Sequence, residues 1–314
     1  MLITRPMLAA PVSIETFDKV KWPVWASPKI DGIRCLIHPT LGPVTRTFKS
    51  IPNTWVRETL LAHYAGSHLD GELYILSKTG EALFGDTQSA IMSRSGQPEF
   101  RYAVFDCFER PEESFVDRHN HAARILMDCG RFDIAHILHH DVIHSVKEFI
   151  VFVDECMVDG YEGAVIRAIE GQYKSGRSTL NQGGMLKYKN WVDAEGIVIG
   201  FEELMHNDNE DIKNHFGLAK RTSHKDNLIP AGVLGALILQ TDWGVLRVGS
   251  GFDSATRKAI WERNKQVVEV LRNPEQGVIY GKGHDLGRIV TFKYQPHGMQ
   301  DLPRFPIWKG FRED

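Results

Sequence analysis

The chain has 314 residues, of which 42% are apolar and 25% are charged, enough to build one large domain or two of ordinary size. Its 28 glycines and 14 prolines are too few and too scattered for a fibrous or disordered chain. With 37 basic and 40 acidic residues the formal net charge is −3, which excludes a globally basic nucleic-acid coat, so a polyanionic partner would need a local basic surface.

Short runs of β-branched and aromatic residues, bounded by turn formers, predict strands along most of the chain. In chain order, the predicted strands are Ile33–His38, Leu69–Leu76, Tyr102–Phe108, Gly163–Ala168, Gly196–Phe201, Leu234–Gln240, Val245–Gly249 and Ile289–Tyr294.

Two stretches predict helices. The first is expected to begin after Ser145, because Ser145 and Glu148 have capping-box spacing, and to end at Gly160. Apolar residues between these limits recur at helical spacing. The second is expected from about Ser254 to Leu271, with Asp253 as its N-cap.

The pattern of predicted elements changes after Val192, where the chain becomes strand-rich. We therefore expect an α+β domain over residues 1–189 and a smaller β-barrel over residues 190–314.

Cysteine spacing and hydropathy argue against a zinc-binding, a secreted and a membrane-spanning protein. The cysteines at positions 35, 107, 129 and 156 have no CxxC spacing, which argues against a structural zinc site. The first 13 residues lack the apolar region of a signal peptide. The longest uncharged stretch, Asn227–Thr241, is shorter than the roughly 20 apolar residues that span a bilayer. We expect a cytoplasmic protein, of a bacterial or virus-infected cell, with no targeting signal and no membrane partner.

The run from Ser27 to Arg34, with the sequence SPKIDGIR, has the residue types of a nucleotide-reacting site. An amine attacks phosphorus only when neutral, and at an ordinary pKa of about 10.4 roughly 1 lysine in 2,500 is neutral at pH 7. Lys29 would therefore need nearby cations, a metal or burial to become a nucleophile. Asp31 could hold a metal, and Gly32 would let a nucleotide approach the backbone. Alone, a Lys-x-Asp-Gly run is equally consistent with a solvated turn.

Further charged residues stand at the starts and within predicted strands. They occur in the runs LDGEL (69–73), FD (105–106), EGAVIR (162–167), LKYK (186–189) and RFPIWKGFR (304–312). Side chains repeat every two residues along a strand, so Lys187 and Lys189 share one face. Asp70 could be either a functional or a structural acid.

These motifs, in this order, resemble those of the ATP-dependent DNA ligases of the minimal viral and phage type, which are covalent nucleotidyltransferases. The resemblance also covers TRTFKSIPN (45–53), YKSGRSTL (173–180), KNWVDAEG (189–196), KRTSHK (220–225) and GSGFD (249–253). It implies an α+β nucleotidyltransferase (adenylation) domain over 1–189 and an OB-fold over 190–314, with ATP and Mg²⁺ as cofactors. The implied reaction seals 3′-OH/5′-phosphate nicks in duplex DNA through a lysyl-AMP and a DNA-adenylate.

The resemblance implies a role for each residue that reacts with the nucleotide. Lys29 matches the nucleophile, and Lys187 and Lys189 match the pair that holds the α-phosphate. Asp31 and Glu162 match the carboxylates that bind magnesium.

Other matches concern nucleotide recognition. Glu72 matches the acid that binds the ribose, and Arg34 matches a neighbouring nucleotide contact. Phe105 matches the aromatic residue that stacks on adenine, with Val165 a weaker match for the opposite face.

The remaining matches concern pyrophosphate and DNA. Arg304 and Arg312 match residues that orient the leaving pyrophosphate, which requires the barrel to swing over the ATP site. Arg46 and Arg177 match residues that grip the 5′-phosphate of the nick or the nearby backbone.

The composition of residues 204–232 predicts that they are too polar for a barrel strand. The resemblance implies that they form the latch, a segment that folds around the duplex. Its cations are Lys213, Lys220, Arg221 and Lys225. We therefore expect a monomer that encircles nicked duplex DNA. An RNA ligase or a capping-type nucleotidyltransferase with the same lysine chemistry is the alternative, and a catalytically silent nucleic-acid-binding module is a third.

Overall fold

The computed structural model describes residues 3–76, 84–208, 212–213, 219–220, 227–272 and 284–312. The chain divides into two compact units, Met1–Asn190 and Trp191–Asp314, which we call the N-terminal and C-terminal units. In the ranges just given, no helix combines the length and the apolar character that a membrane crossing requires.

The N-terminal unit contains two five-stranded sheets. We number strands in chain order. The first sheet has the order β2 (Ala10–Pro11), β12 (Met185–Lys189), β10 (Gly163–Ala168), β3 (Val24–Pro28), β9 (Asp141–Ile143). The second has the order β5 (Gly42–Thr45), β4 (Ile33–His38), β6 (Leu69–Tyr74), β7 (Arg101–Cys107), β8 (Ala135–Ile137). A short parallel pair, β1 (Met7–Leu8) and β11 (Gly176–Arg177), completes the strands described in this unit.

Helices cover these sheets and bury their apolar faces. They are α1 (Thr54–Tyr64), α2 (Phe84–Met92), α3 (Phe115–Cys129) and α4 (Val146–Val158), with a 3₁₀ helix at Ile14–Lys19. One core joins the second sheet to α1, α2 and α3, and another joins the first sheet to α4. A third cluster, which includes Met7, Leu36 and Met185, contains residues from both sheets.

The predicted helix after Ser145 is confirmed as α4. The Ser145 hydroxyl accepts a hydrogen bond from the Glu148 amide at 3.3 Å, which satisfies a backbone group that the helix leaves unpaired. The Glu148 carboxylate accepts from the His144 amide at 2.9 Å, one residue earlier than an ideal capping box. Gly160, with a φ of +80°, follows the end of the helix.

The C-terminal unit is one five-stranded sheet packed on a helix. The sheet has the order β17 (Gly244–Val248), β16 (Leu228–Thr241), β13 (Val192–Asn207), β18 (Ile289–Gln295), β19 (Arg304–Phe311), and the helix is α5 (Ser254–Arg272). The Asp253 carboxylate accepts from the Thr256 amide at 2.7 Å, which confirms the predicted N-cap. Leu237, Trp261 and Phe292 belong to its core.

The prediction that residues 204–232 are too polar for a barrel strand is wrong at both ends. Strand β13 continues to Asn207 and β16 already begins at Leu228, with Met205 paired to Pro230 and Asn207 to Leu228. A further short pair, β14 (Ile212–Lys213) and β15 (Ala219–Lys220), lies between them. Backbone pairing does not require an apolar face, so composition alone underestimates strand length here.

We expect Ser145→Ala to lower the free energy of unfolding by about 1 kcal/mol, because the first turn of α4 loses its cap. Chemical denaturation followed by circular dichroism measures this change. Ser93→Ala, at an exposed serine outside any helix, is the matched control. Equal stability of the two variants would show that the cap does not stabilise the fold.

Candidate active site

A cavity of about 190 Å³ in the N-terminal unit is lined by residues from both of its sheets. Among the predicted site residues, its lining includes Lys29, Arg34, Arg46, Glu72, Phe105, Val165, Arg177 and Lys187. Residues from seven separate stretches of sequence thus meet at one concave surface.

Lys29 is placed by the backbone that follows β3. Its amide donates to the Gly163 carbonyl at 2.9 Å, and its carbonyl accepts from the Glu162 amide at 3.0 Å. This pairing sets the side chains of Lys29 and Glu162 beside each other, and they form an ion pair. Glu162 also pairs with Lys189, which lies opposite Gly163 in the register of β10 and β12. The buried carboxylate therefore holds two lysines together.

Burial and the close approach of charged groups shift the pKa values of residues in this cluster. Burial by itself would raise the pKa of Glu162, but Lys29 and Lys189 together bring that pKa below its ordinary value. Burial, and then the positive charges of Lys189 and Lys29, lower the pKa of Lys187. A bound anion would relieve the repulsion among the three lysines, so this end of the cavity is suited to phosphate.

Glu72 lines the cavity from strand β6. Burial raises its pKa to about 7, against the opposing effects of Lys29 and Arg34. Gly32 packs tightly beside it, since a Cβ on Gly32 would lie 2.4 Å from the Leu73 carbonyl oxygen and 2.8 Å from the Glu72 Cγ. Close approach of strand β6 is therefore one reason for Gly32, and close approach of a nucleotide stays a prediction.

Arg34 is held by a buried acid. Its Nε and Nη2 donate to the two carboxylate oxygens of Asp70 at 2.5 and 2.6 Å, and Nη2 also donates to the Met7 carbonyl at 3.1 Å. The Tyr173 hydroxyl donates to the same carboxylate at 2.6 Å. Asp70 is fully buried, so of its two predicted roles the contacts describe the structural one. It fixes the position of Arg34 in the cavity wall.

Phe105 and Val165 come from different sheets. Phe105 is 9% exposed on β7, with the Arg34 guanidinium carbon 4.7 Å from its ring centre. Val165 lies on β10 opposite Lys187 and Ser27, the residue two before Lys29. The apolar walls and the cationic end thus belong to one continuous surface.

Asp106 organises an arginine network whose pairings the sequence motifs did not predict. It is fully buried and accepts from Arg118 Nε at 2.9 Å and from Arg167 Nη1 at 3.1 Å. Arg167 lines the cavity, as does His140. Asp106 and Arg167 stand in two of the runs that the sequence analysis named, but nothing in those runs indicates that the two residues pair with each other.

Some predicted site residues lie elsewhere or are not described. In the C-terminal unit, Arg304 donates to the His297 carbonyl at 3.1 Å and Arg312 pairs with Glu195 at 2.9 Å. Of the predicted latch cations, Lys213 and Lys220 have described backbones, whereas Arg221 and Lys225 lie outside the described residues.

The comparison with known families agrees with this geometry. A family model described as "ATP dependent DNA ligase domain" matches residues 6–189, and one described as "DNA ligase OB-like domain" matches residues 230–312. The chain belongs to the ATP-dependent DNA ligase family. Its fold class is therefore α+β, a nucleotidyltransferase domain followed by an OB-like domain, as the motifs predicted.

Solved ligase structures share the fold. The crystal structure of chlorella virus DNA ligase-adenylate has 28% sequence identity to this chain and a TM-score of 0.54. The match covers 99% of this chain and 100% of the chlorella virus chain. A structure from a study of Lig E DNA ligases has 22% sequence identity to this chain and a TM-score of 0.66. The match covers 97% of this chain and 98% of the Lig E chain.

A curated relative matches a shorter stretch. The DNA ligase of African swine fever virus is 25% identical over 138 residues, which is 43% of this chain and 32% of that protein. The match with this ligase thus spans about a third of the relative's length.

We expect Glu72→Gln to stabilise the nucleotide-free protein at alkaline pH. Because the folded pKa of about 7 exceeds the ordinary value of 4.5, stability falls as the pH rises from the lower value through the higher one. The neutral amide removes this loss, so the gain should be about 2–3 kcal/mol at pH 8 and below about 1 kcal/mol at pH 5. Urea unfolding at both values measures it.

Glu58→Gln, at an exposed position on α1, is the control and should show no such difference between the two pH values. A gain for Glu72→Gln of the same size at pH 5 and pH 8 would contradict the raised pKa.

Proposed function

We propose that this ligase seals 3′-OH/5′-phosphate nicks in duplex DNA, with Lys29 carrying AMP from ATP to the DNA. The observation that supports this most is the ion-paired cluster of Lys29, Glu162 and Lys189 beside the cavity that Lys187 also lines. A lysine amine, positive charge for phosphate and an apolar wall for a base occur there together.

In the proposed first step, Lys29 Nζ forms a bond to the α-phosphorus of ATP as the bond from that phosphorus to pyrophosphate breaks. The ammonium of the ion pair releases one proton to solvent before it attacks, and a second proton passes to solvent as the nitrogen–phosphorus bond forms, so that the product is a phosphoramidate. Glu162 positions the amine through their ion pair, and Lys187 and Lys189 neutralise charge on the transferring phosphoryl group. Arg304 and Arg312 of the C-terminal unit would orient the pyrophosphate.

Nucleotide binding would use the walls of the cavity. Phe105 would stack on adenine with Val165 on the opposite face, while Glu72 and Arg34 would bind the ribose side. Arg34 is suited to this because Asp70 and the Met7 carbonyl already fix its guanidinium, so little side-chain entropy remains to be lost.

Asp31 and Glu162 are the residues that would hold Mg²⁺. Their carboxylate oxygens are the hard ligands that this ion prefers. Lys29 and Lys189 keep Glu162 ionised, as a magnesium ligand must be. When bound, the ion would supply further neutralisation of phosphate charge.

In the later steps AMP would pass to the 5′-phosphate of the nick, and the 3′-hydroxyl would then attack that phosphate and release AMP. Arg46 and Arg177 line the cavity and would hold the 5′-phosphate. Residues 204–232, with Lys213, Lys220, Arg221 and Lys225, would form a latch on the duplex backbone.

We further propose that residues 1–189 form the adenylation domain and residues 190–314 the OB-fold domain, and that the protein encircles DNA as a monomer. The cytoplasmic location expected from the sequence stays a prediction.

We expect Lys29→Ala to abolish both the covalent AMP adduct and nick sealing, because the phosphoramidate needs that amine. Mass spectrometry after incubation with ATP and magnesium should show the wild type gaining one AMP, which pyrophosphate removes. Lys21→Ala, at an exposed lysine, is the control and should keep both activities. An AMP adduct or undiminished sealing by Lys29→Ala would reject the assigned nucleophile.

We expect alanine at Lys213, Lys220, Arg221 and Lys225 together to weaken binding to nicked duplex DNA and to flatten its salt dependence. Loss of four phosphate contacts should reduce the slope of log K against log salt by about 3 to 4. Fluorescence anisotropy over a salt series measures it.

The matched control replaces four exposed cations elsewhere, Lys19, Lys147, Lys258 and Lys265, with alanine. If both quadruple variants change the slope equally, the effect is one of net charge, and residues 204–232 are not a specific DNA contact.

A further inference from the structure

Two buried side chains of the cavity wall have polar nitrogens without a hydrogen bond to any described residue. Within the described part of the chain, Nε and Nη2 of Arg167 and Nε2 of His140 have no hydrogen-bond partner. Arg167 is 1% exposed and His140 is 7% exposed. Leaving buried polar atoms unpaired is unfavourable, so a ligand in this cavity would gain affinity by completing their hydrogen bonding.

Strand register places Arg167 away from the phosphate end of the cavity. Along β10, Gly163 lies opposite Lys189, Val165 opposite Lys187, and Arg167 opposite Met185. Arg167 is thus further from the lysines than Val165 by two residues on the same face of the strand.

His140 lies at the β9 edge of the same sheet, in the row of Lys187 but separated from it by strands β10 and β3. Strand β9 pairs Asp141 with Ala26, so His140, one residue earlier, is level with Ser27. Both His140 and Ser27 line the cavity. A nucleotide with its phosphates at Lys29 and Lys187 would therefore present its base to His140 and Arg167.

The hydrogen-bond partner of His140 fixes its tautomer. Nδ1 lies 2.9 Å from the Leu138 carbonyl oxygen, which can only accept, so Nδ1 carries the proton. Burial, followed by the influence of His119 and Arg167, lowers the pKa of His140 to about 2, and the ring is neutral. Nε2 is therefore an acceptor.

Arg167 supplies the opposite kind of group. Its Nη1 donates to Asp106, while Nε and Nη2 form the remaining edge of the guanidinium. Guanidinium nitrogens only donate hydrogen bonds. The region therefore offers one acceptor, from His140, and one donor edge, from Arg167.

We propose that His140 and Arg167 select adenine over guanine in this ligase, with His140 Nε2 accepting from the 6-amino group and Arg167 donating to a ring nitrogen on the same edge of the base. This assignment rests on the proposed function, which brings a nucleotide to the cavity. Guanine carries an oxygen at position 6, so two acceptors would face each other at His140. A buried acceptor without its donor disfavours binding by about 10- to 100-fold.

The test for His140 compares AMP with purine riboside 5′-monophosphate, which lacks the 6-amino group, by calorimetric binding to protein stripped of bound adenylate. Wild type should prefer AMP by about 10- to 100-fold. His140→Leu should reduce this preference to about 1, and His140→Gln, which restores an acceptor near the position of Nε2, should recover part of it. His139→Leu, at the neighbouring exposed histidine, is the matched control and should keep the wild-type preference.

Arg167 is tested without mutation, because its replacement would break the buried pair with Asp106. Binding of 1-deaza-AMP and 7-deaza-AMP to the wild type should show a loss of about tenfold or more for one of the two, the analogue that lacks the nitrogen paired with Arg167.

The outcomes separate this inference from the proposed function. If AMP binds and Lys29 gains AMP from ATP, but His140→Leu keeps the full preference for AMP or neither deaza analogue binds more weakly, the adenine assignment is overturned and the ligase function stands. If the stripped wild type binds no AMP and forms no adduct, both are overturned.

Discussion

One buried carboxylate, that of Glu162, holds two lysines of the candidate active site together. It pairs with Lys29 and Lys189, whose backbones lie next to it through the pairing of three strands. Without that negative charge, three lysines crowded at one end of a cavity would repel one another, and their side chains would move apart towards solvent. The same carboxylate holds the lysines together without a bound anion, so a phosphate that binds there would enter a site that is already assembled.

Two further buried acids act on the rest of the cavity in the same way. The Asp70 carboxylate accepts hydrogen bonds from Arg34 and Tyr173. The Asp106 carboxylate accepts hydrogen bonds from Arg118 and Arg167. Each acid is fully buried and each is paired, which is the condition under which buried charge is tolerated. Together with Glu162 they convert flexible cationic side chains into fixed groups of the cavity wall. This arrangement explains why a chain with a net charge of −3 presents local positive charge.

Local patterns in the sequence predicted the fold with uneven success. The strands Ile33–His38 and Gly163–Ala168 have the predicted bounds, because each is a continuous run of strand-forming residues. Helix α4 was predicted from its cap, its apolar spacing and Gly160. Helix α1 was missed because exposed apolar residues, Trp55 and Leu61, stand beside its buried residues and blur the helical spacing of the apolar face.

The sequence by itself determined the family, the order of the motifs and the residue types of the site, since these depend on short runs such as SPKIDGIR and LKYK. Tertiary structure alone decided which groups share the cavity. The contacts of Asp106 and His140 follow from strand register and burial, which bring together residues far apart in the chain. Hydrogen-bond satisfaction is likewise a property of neighbours in space, so the unpaired nitrogens of Arg167 and His140 became visible only once the sheets were assembled.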